Sequence, residues 1–140
     1  MGSRRKAREL ALQYLYKLDV AGDVFTRDEL EGFLHDFSSQ DEDKDYAVIL
    51  IDNTFKNKED IDKAISAYLE NWTIERLSTI DRNILRFATC ELIYFMDIPV
   101  NVAINEAIEI AKKYSLEESA TFINGVLDKI ARESRKGQAI

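Results

Sequence analysis

Cysteine, histidine and proline each occur once in this 140-residue sequence. The single cysteine, Cys90, excludes an intramolecular disulfide, and it lies among apolar residues, which is typical of a buried, inert thiol. The single histidine, His35, leaves no second imidazole for a metal site such as a di-iron bundle, which needs two Glu-x-x-His motifs. No catalytic constellation stands out among the 26 acidic residues. We therefore expect no metal, no cofactor and no enzymatic activity.

Long apolar runs are also missing. None approaches the length that crosses a bilayer, and no apolar segment of the signal-peptide kind follows the basic residues at the start. These absences predict a cytoplasmic protein with no membrane partner. A chain of this size can bury roughly two-thirds of its unfolded surface, so its core requires neither a metal nor a disulfide.

Strand-like alternation and Gly-rich phosphate loops are absent, whereas apolar residues recur at helical spacing in seven segments. Short connections between such segments predict an all-α domain with antiparallel bundle packing. Gly22 is expected to end the first helix, and the segment after Arg132 is expected to fray. A compact corner of one helical turn is predicted over 72–77. The predicted capping pairs are Thr26 with Glu29, Ser78 with Asp81, and Ser115 with Glu118.

A glycine, Gly125, falls inside the apolar stripe of the last predicted helix. A mid-helix glycine costs about 1 kcal/mol relative to alanine, so a compensating role is expected. Contact with a ligand is one explanation. Close approach of a neighbouring helix is the other, and we favour it.

The net charge of −7 is distributed unevenly. Residues 17–70 carry 6 basic and 15 acidic side chains, and residues 71–140 carry 9 and 10. Residues 1–16 instead carry one acidic side chain and four basic ones: Arg4, Arg5, Lys6 and Arg8. The macrodipole disfavours positive charge at a helix start, and a locally unfavourable choice of this kind is typical of a functional site. A disordered basic segment without a partner is the alternative.

Five segments of the sequence resemble the NusB family of bacterial transcription antitermination factors. They are residues 4–16, 72–77, 81–86, 102–112 and 122–128, and they follow the order of the family. Residues 19–70 resemble the variable part of the family. Several motifs in the right order make a chance match very improbable.

The resemblance implies an all-α fold of two packed three-helix bundles. Residues 1–140 would form a single domain, with an N-terminal helical subdomain over 1–70 and a C-terminal one over 71–140. It implies a partner, NusE, which is also a small-subunit ribosomal protein. With NusE, such a protein binds boxA-type single-stranded RNA in nascent transcripts, joins the antitermination complex on RNA polymerase and supports ribosomal RNA synthesis.

The resemblance also points to an RNA-binding surface. Phosphates would be neutralised by Arg4, Arg5, Lys6 and Arg8, and four such contacts predict a log–log salt slope of roughly −3. Sequence preference requires bases that are stacked on aromatic rings or hydrogen-bonded at their edges. The candidates are Tyr16 and Phe122 for stacking, and Glu118 and Ser119 for edge contacts. Phe122 as a core residue is the alternative.

The expected NusE surface uses the first helix and the start of the central helix. Its candidate residues are Tyr16, Glu75, Asp81 and Arg82. The acidic body suits a basic ribosomal protein, because complementary charge speeds association.

Two other functions stay open. One is a protein-interaction module whose basic start docks an acidic partner. The other is an RNA-modifying enzyme, since NusB-like domains occur fused to RNA methyltransferases. A homodimer that covers the RNA surface also stays open.

Overall fold

The computed structural model describes residues 3–22, 25–35 and 41–136. Within these ranges the chain forms seven α-helices, a single 3-10 turn and no strand, which confirms the all-α prediction. The 3-10 turn, Ile74–Arg76, occupies the predicted corner. The helices are α1 (Ser3–Ala21), α2 (Arg27–His35), α3 (Asp41–Lys56), α4 (Lys58–Ser66), α5 (Thr79–Tyr94), α6 (Val100–Tyr114) and α7 (Glu117–Ser134).

Helix α5 lies at the centre of the molecule. Every residue from Asn83 to Leu92 is buried, because apolar side chains occupy more than one face of this helix. Helices α1, α3 and α5 pack against one another, and so do α5, α6 and α7. The two three-helix bundles therefore share α5, and their buried side chains form one continuous core.

Two of the predicted capping pairs are confirmed. The N–H of Glu29 donates to Thr26 Oγ1 at 3.2 Å, and the N–H of Asp81 donates to Ser78 Oγ at 3.1 Å. Gly22 ends α1 as predicted, with a φ of +68°. This left-handed conformation favours glycine because a Cβ atom would be strained there.

The third capping pair is wrong. Helix α7 begins at Glu117, and the residue before it, Leu116, offers no side-chain cap. The Ser115 hydroxyl donates instead to the Asp81 carboxylate at 2.7 Å. A cap would need Ser115 Oγ to accept from a backbone N–H in the first turn of α7, whereas its hydroxyl here donates to a carboxylate on another helix.

Arg135 contradicts the expectation that the chain frays after Arg132. Its side chain is only 2% exposed. Its guanidinium donates to the carbonyl oxygens of Leu92 at 2.7 Å, Phe95 at 3.2 Å and Glu91 at 3.3 Å. These carbonyls belong to the last turn of α5 and the residue after it, where helices run out of intrahelical donors; that of Glu91 also accepts from the N–H of Phe95. Arg135 thus closes the end of the central helix.

Gly125 is not the packing residue that we expected. It is exposed, and a Cβ atom built on it would meet nothing within 4 Å. The favoured explanation of a close helix contact is therefore wrong. The structure gives no account of this glycine.

Cys90 confirms the prediction of a buried thiol. Burial raises its pKa to about 12, so the thiol stays protonated. Among the described residues, no group of three or more His, Cys, Asp or Glu side chains is placed to hold a metal ion. In the same part of the chain, no helix is both long and apolar enough to cross a membrane.

Candidate nucleic-acid interface

Three basic residues at the start of α1 are exposed: Arg4, Arg5 and Lys6. We call them the basic tip. The guanidinium carbon of Arg4 lies 4.5 Å from the centroid of the Tyr46 ring on α3, a distance at which cation and ring attract each other. The tip is therefore part of a helix that is anchored to the body, and the alternative of a disordered segment does not hold for it.

Arg5 is paired with a carboxylate on α6. Its Nε and Nη2 donate to Glu106 Oε1 and Oε2 at 2.9 and 2.5 Å. The side chain of Arg5 stays 45% exposed, whereas that of Glu106 is 19% exposed. These hydrogen bonds raise the pKa of Arg5 and lower the pKa of Glu106, because each group stabilises the charged form of the other.

Arg8 does not belong to the exposed surface, so its predicted contact with phosphate is wrong. It is 2% exposed, and its Nε donates to both carboxylate oxygens of Glu91 at 2.8 and 3.1 Å. Its Nη1 lies 3.5 Å from Glu106 Oε1. A guanidinium that is itself buried between two carboxylates has no accessible face for RNA.

Glu91 is the buried centre of this ion-pair network. It is 0% exposed, and it accepts hydrogen bonds from Arg8 and from the Tyr46 hydroxyl. Burial raises the pKa of Glu91, and Arg8 opposes that rise. The network joins α1, α3 and α5, and through Glu106 it reaches α6. It fixes where the basic tip lies and how it faces solvent.

A second candidate surface lies where the 3-10 turn meets the starts of α5 and α7. We call it the Trp72 groove. Its exposed aromatic side chain is Trp72, at 54%, while Phe122 is half-buried and packs on the core. Its lining residues are Trp72, Arg76, Leu77, Ser78, Asp81, Glu118, Ser119 and Phe122.

Ser119 and Asp81 are engaged with each other inside this groove. The Ser119 hydroxyl donates to Asp81 Oδ2 at 2.8 Å, and Ser115 donates to Oδ1. Ser119 is only 8% exposed, so the prediction that it contacts a base edge is corrected to a structural role. Glu118 is exposed and keeps the predicted location.

Arg82 also has internal partners. Its Nε donates to Asp19 Oδ2 at 2.8 Å. Its Nη1 donates to the carbonyls of Ile74, Glu75 and Leu77 at 3.3, 3.3 and 3.2 Å. The guanidinium thus shapes the 3-10 turn. These bonds give Arg82, like Asp81, a role in positioning this surface, and the contact of both residues with NusE stays a prediction.

The basic tip and the Trp72 groove lie towards opposite ends of α1. Near its start, Arg5 pairs with Glu106, and one turn later Glu9 pairs with Lys113 at 3.1 Å, so α1 and α6 run in the same direction. Near its end, Asp19 meets Arg82. Fourteen residues of helix separate Arg5 from Asp19, or about 21 Å. Tyr16, which is 42% exposed, lies between the two ends.

Comparison with known proteins identifies the fold. The family model described as the NusB family matches residues 5–132. The chain belongs to the NusB family. The transcription antitermination protein NusB of Thermodesulfovibrio yellowstonii is 48% identical over 139 residues, covering 93% of this chain and 92% of that protein. The protein of the same name from Trichlorobacter lovleyi is 45% identical over 130 residues, covering 93% and 91%.

Solved NusB structures have the same architecture. NusB of T. maritima superposes with a TM-score of 0.85 at 43% identity, covering 93% of this chain and 91% of that one. A crystal structure of antitermination factors NusB and NusE in complex with double-stranded RNA gives a TM-score of 0.83 at 30% identity, covering 95% and 98%. The all-α prediction and the NusB resemblance are both confirmed.

Sequence reasoning missed the acidic and aromatic partners of the first helix in this NusB-family chain. Glu91 stands alone in the apolar run around Cys90, and a single carboxylate in a buried helix needs a cation. Arg8 stands at i−3 from Ala11 and i−7 from Leu15, on a face that is buried. Together, these two features predict an ion pair between Arg8 and a buried carboxylate. No local signal marks Tyr46 or Glu106.

Proposed function

We propose that this protein is a transcription antitermination factor that binds boxA-type single-stranded RNA together with NusE. In this proposal it acts in the antitermination complex on RNA polymerase, in the cytoplasm, and supports ribosomal RNA synthesis. It needs no cofactor and catalyses no reaction. Residues 1–140 act as one domain, with a C-terminal helical subdomain beginning near residue 71.

The observation that carries this proposal is the basic tip, which an otherwise acidic chain holds exposed on an anchored helix. In this proposal, Arg4, Arg5 and Lys6 neutralise phosphates. Without Arg8, at most three contacts remain, so the steepest salt slope expected for single-stranded RNA is roughly −2. Phosphate contacts give affinity and position but carry no sequence information.

The Trp72 groove would supply the contacts that depend on sequence. Phe122 is half-buried and packs on the core, and Trp72 is an exposed ring in the same groove. Unstacked bases bind to such rings. Glu118 is the remaining candidate for contacts to base edges, and Tyr16 lies between the groove and the tip.

For NusE we retain Tyr16 and Glu75, because both side chains are exposed. Asp81 and Arg82 support this surface from beneath through their hydrogen bonds. The acidic body favours a basic partner by electrostatic steering.

An RNA titration tests this function. Fluorescently labelled boxA RNA and a scrambled RNA of equal length and composition are titrated with the protein, with and without NusE, in single-stranded and in duplex form. We expect NusE to increase affinity for the single-stranded boxA RNA more than for the other three. Equal affinity for boxA and scrambled RNA in the presence of NusE would contradict the proposal.

A protein-docking module is the second candidate, and one observation favours it. Arg5 is exposed and binds a carboxylate within the chain, as it would bind one of an acidic protein. This function predicts binding of an acidic protein through the basic tip, with no gain in RNA affinity when NusE is added. Methyl transfer to RNA by the purified chain would instead indicate an enzyme.

A further inference from the structure

The pairing of Arg5 with Glu106 has a consequence for RNA affinity. A guanidinium binds carboxylate and phosphate through the same planar, bidentate geometry. Glu106 uses that geometry on Arg5, with Nε and Nη2 donating at 2.9 and 2.5 Å. A phosphate that approaches the same edge of Arg5 meets an occupied donor pair and a negative charge.

We propose that Glu106 is an intramolecular competitor that restrains the binding of RNA phosphate by Arg5. The inference rests on the proposed RNA-binding function. In this role Glu106 lowers the affinity for RNA. Weak, sequence-independent complexes then dissociate, while contacts in the Trp72 groove retain the cognate RNA. Sequence-independent affinity comes almost entirely from phosphate contacts. Restraint of the Arg5 phosphate contact therefore lowers the affinity for every RNA sequence alike.

Burial and charge support this competition. Arg5 is 45% exposed, so a phosphate can reach it without any movement of the core. Glu106 reaches a second guanidinium, that of Arg8, at 3.5 Å, and it therefore stays anchored when Arg5 exchanges partners. The lowered pKa of Glu106 keeps the competing carboxylate charged at neutral pH. Arg8 keeps Glu91 as its principal partner.

The deciding variant is Glu106→Gln, because glutamine keeps the size of the side chain and one acceptor for Arg5 but removes the charge. The matched control is Glu109→Gln. Glu109 lies one turn further along α6, is 48% exposed and pairs with Lys112 at 3.4 Å, so its loss changes the net charge of the same helix without freeing Arg5.

The experiment measures binding of a labelled oligouridylate by fluorescence anisotropy over a series of salt concentrations. We expect E106Q to bind about three- to fivefold more tightly than the unaltered protein at low salt, the range of an exposed ion pair. Its salt slope should steepen by up to roughly 0.7, the value for one phosphate contact, towards the roughly −2 of three full contacts. E109Q should bind within about a factor of two of the unaltered protein, because a single screened charge acts weakly.

A double-mutant cycle assigns the effect to Arg5. In the Arg5→Gln background, E106Q should change affinity no more than E109Q does. The proposal is overturned if E106Q and E109Q act alike, if E106Q weakens binding, or if its effect persists without Arg5. Thermal melting of each variant verifies that the fold is retained.

The two proposals fail in different ways. If boxA and scrambled RNA bind equally with NusE but E106Q still tightens oligouridylate binding, the antitermination function is wrong and the role of Glu106 holds. If boxA RNA is preferred but E106Q equals E109Q, the function holds and the role of Glu106 is wrong. If no variant binds RNA, both are wrong.

Discussion

The basic tip and the Trp72 groove are built from polar contacts of opposite kinds. At the tip, Arg4 contacts Tyr46 on α3 and Arg5 pairs with Glu106 on α6, while the basic side chains themselves stay exposed. At the groove, the polar side chains form hydrogen bonds within the chain, and Trp72 is exposed. These side chains are Asp81, Ser119 and Arg82. One region therefore offers charge and the other an aromatic face, and five experiments can break or sharpen this contrast.

The largest effect is expected from Arg8→Ala, which breaks the support of the tip. It leaves Glu91 buried without its cation, and loss of one partner of a buried ion pair destabilises by about 3–5 kcal/mol. Urea denaturation measures the free energy of unfolding. The control is Arg27→Ala, whose side chain is 58% exposed and pairs with Glu31, and which should cost less than about 1 kcal/mol. Equal losses of unfolding free energy in both variants would show that the buried ion pair contributes no more to stability than an exposed one.

The next prediction tests whether the basic tip contributes to RNA binding without contributing to stability. Replacing Arg4, Arg5 and Lys6 together by alanine should weaken RNA binding about 30-fold at low salt and bring the salt slope near zero, because the phosphate contacts are gone. The melting temperature should change little, since exposed ion pairs contribute little. Alanine at Lys56, Lys58 and Lys63 is the control for net charge. A large fall in melting temperature would assign the tip a structural role instead.

The groove has its own test in Trp72→Ala. RNA affinity should fall about five- to tenfold with no change in salt slope, because stacking of a base on an aromatic ring involves no phosphate. The control is Leu116→Ala, which removes an apolar side chain that is 67% exposed. A changed salt slope in the Trp72 variant would erase the distinction between the two regions.

Gly125 gives a baseline on α7 beyond the groove. Gly125→Ala should stabilise the protein by about 0.5–1 kcal/mol, because the site is open and alanine is the better helix former. Gly22→Ala is the opposite control: at a φ of +68° it should destabilise by about 1 kcal/mol. Destabilisation by G125A would mean that this helix face has a packing role after all.

Acid titration is expected to give the smallest effect. The pKa of Glu106 is lowered from 4.5 in the folded protein, so its ion pair stabilises fully above pH 4.5 and is lost as the pH falls through the folded pKa. The difference in unfolding free energy between the unaltered protein and E106Q should therefore shrink on acidification. It should stay below about 1 kcal/mol throughout, because Arg5 is solvated. E109Q provides the baseline, and a difference that grows in acid would contradict the lowered pKa.

The features of this structure that could be predicted from the sequence are local ones. Helical periodicity, the caps at Thr26 and Ser78, and the turn at Gly22 depend on residues within a few positions of each other. Ser115 departs from that pattern: its hydroxyl donates to Asp81, 34 residues away, and α7 begins without a side-chain cap. Local patterns thus predict helix ends unless a tertiary contact draws the capping side chain away.

The candidate site was predicted less completely, for the same reason. Exposed residues such as Arg4 and Glu118 were placed correctly because helix spacing determines which face they lie on. The partners of Arg5 and Arg8 lie 101 and 83 residues away, and no pattern in the first helix specifies them. Counting basic residues therefore overestimated the charge available for phosphate.

The distance along the chain between Arg5 and Glu106 also determines when their ion pair can form during translation. The 101 positions between them take about 5–20 s to translate at typical rates. Until Glu91 and Glu106 have left the ribosome, the first helix lacks the carboxylates that hold its arginines. The nascent chain therefore carries an uncompensated cationic segment for most of its synthesis, while the ribosome around it is itself made largely of RNA.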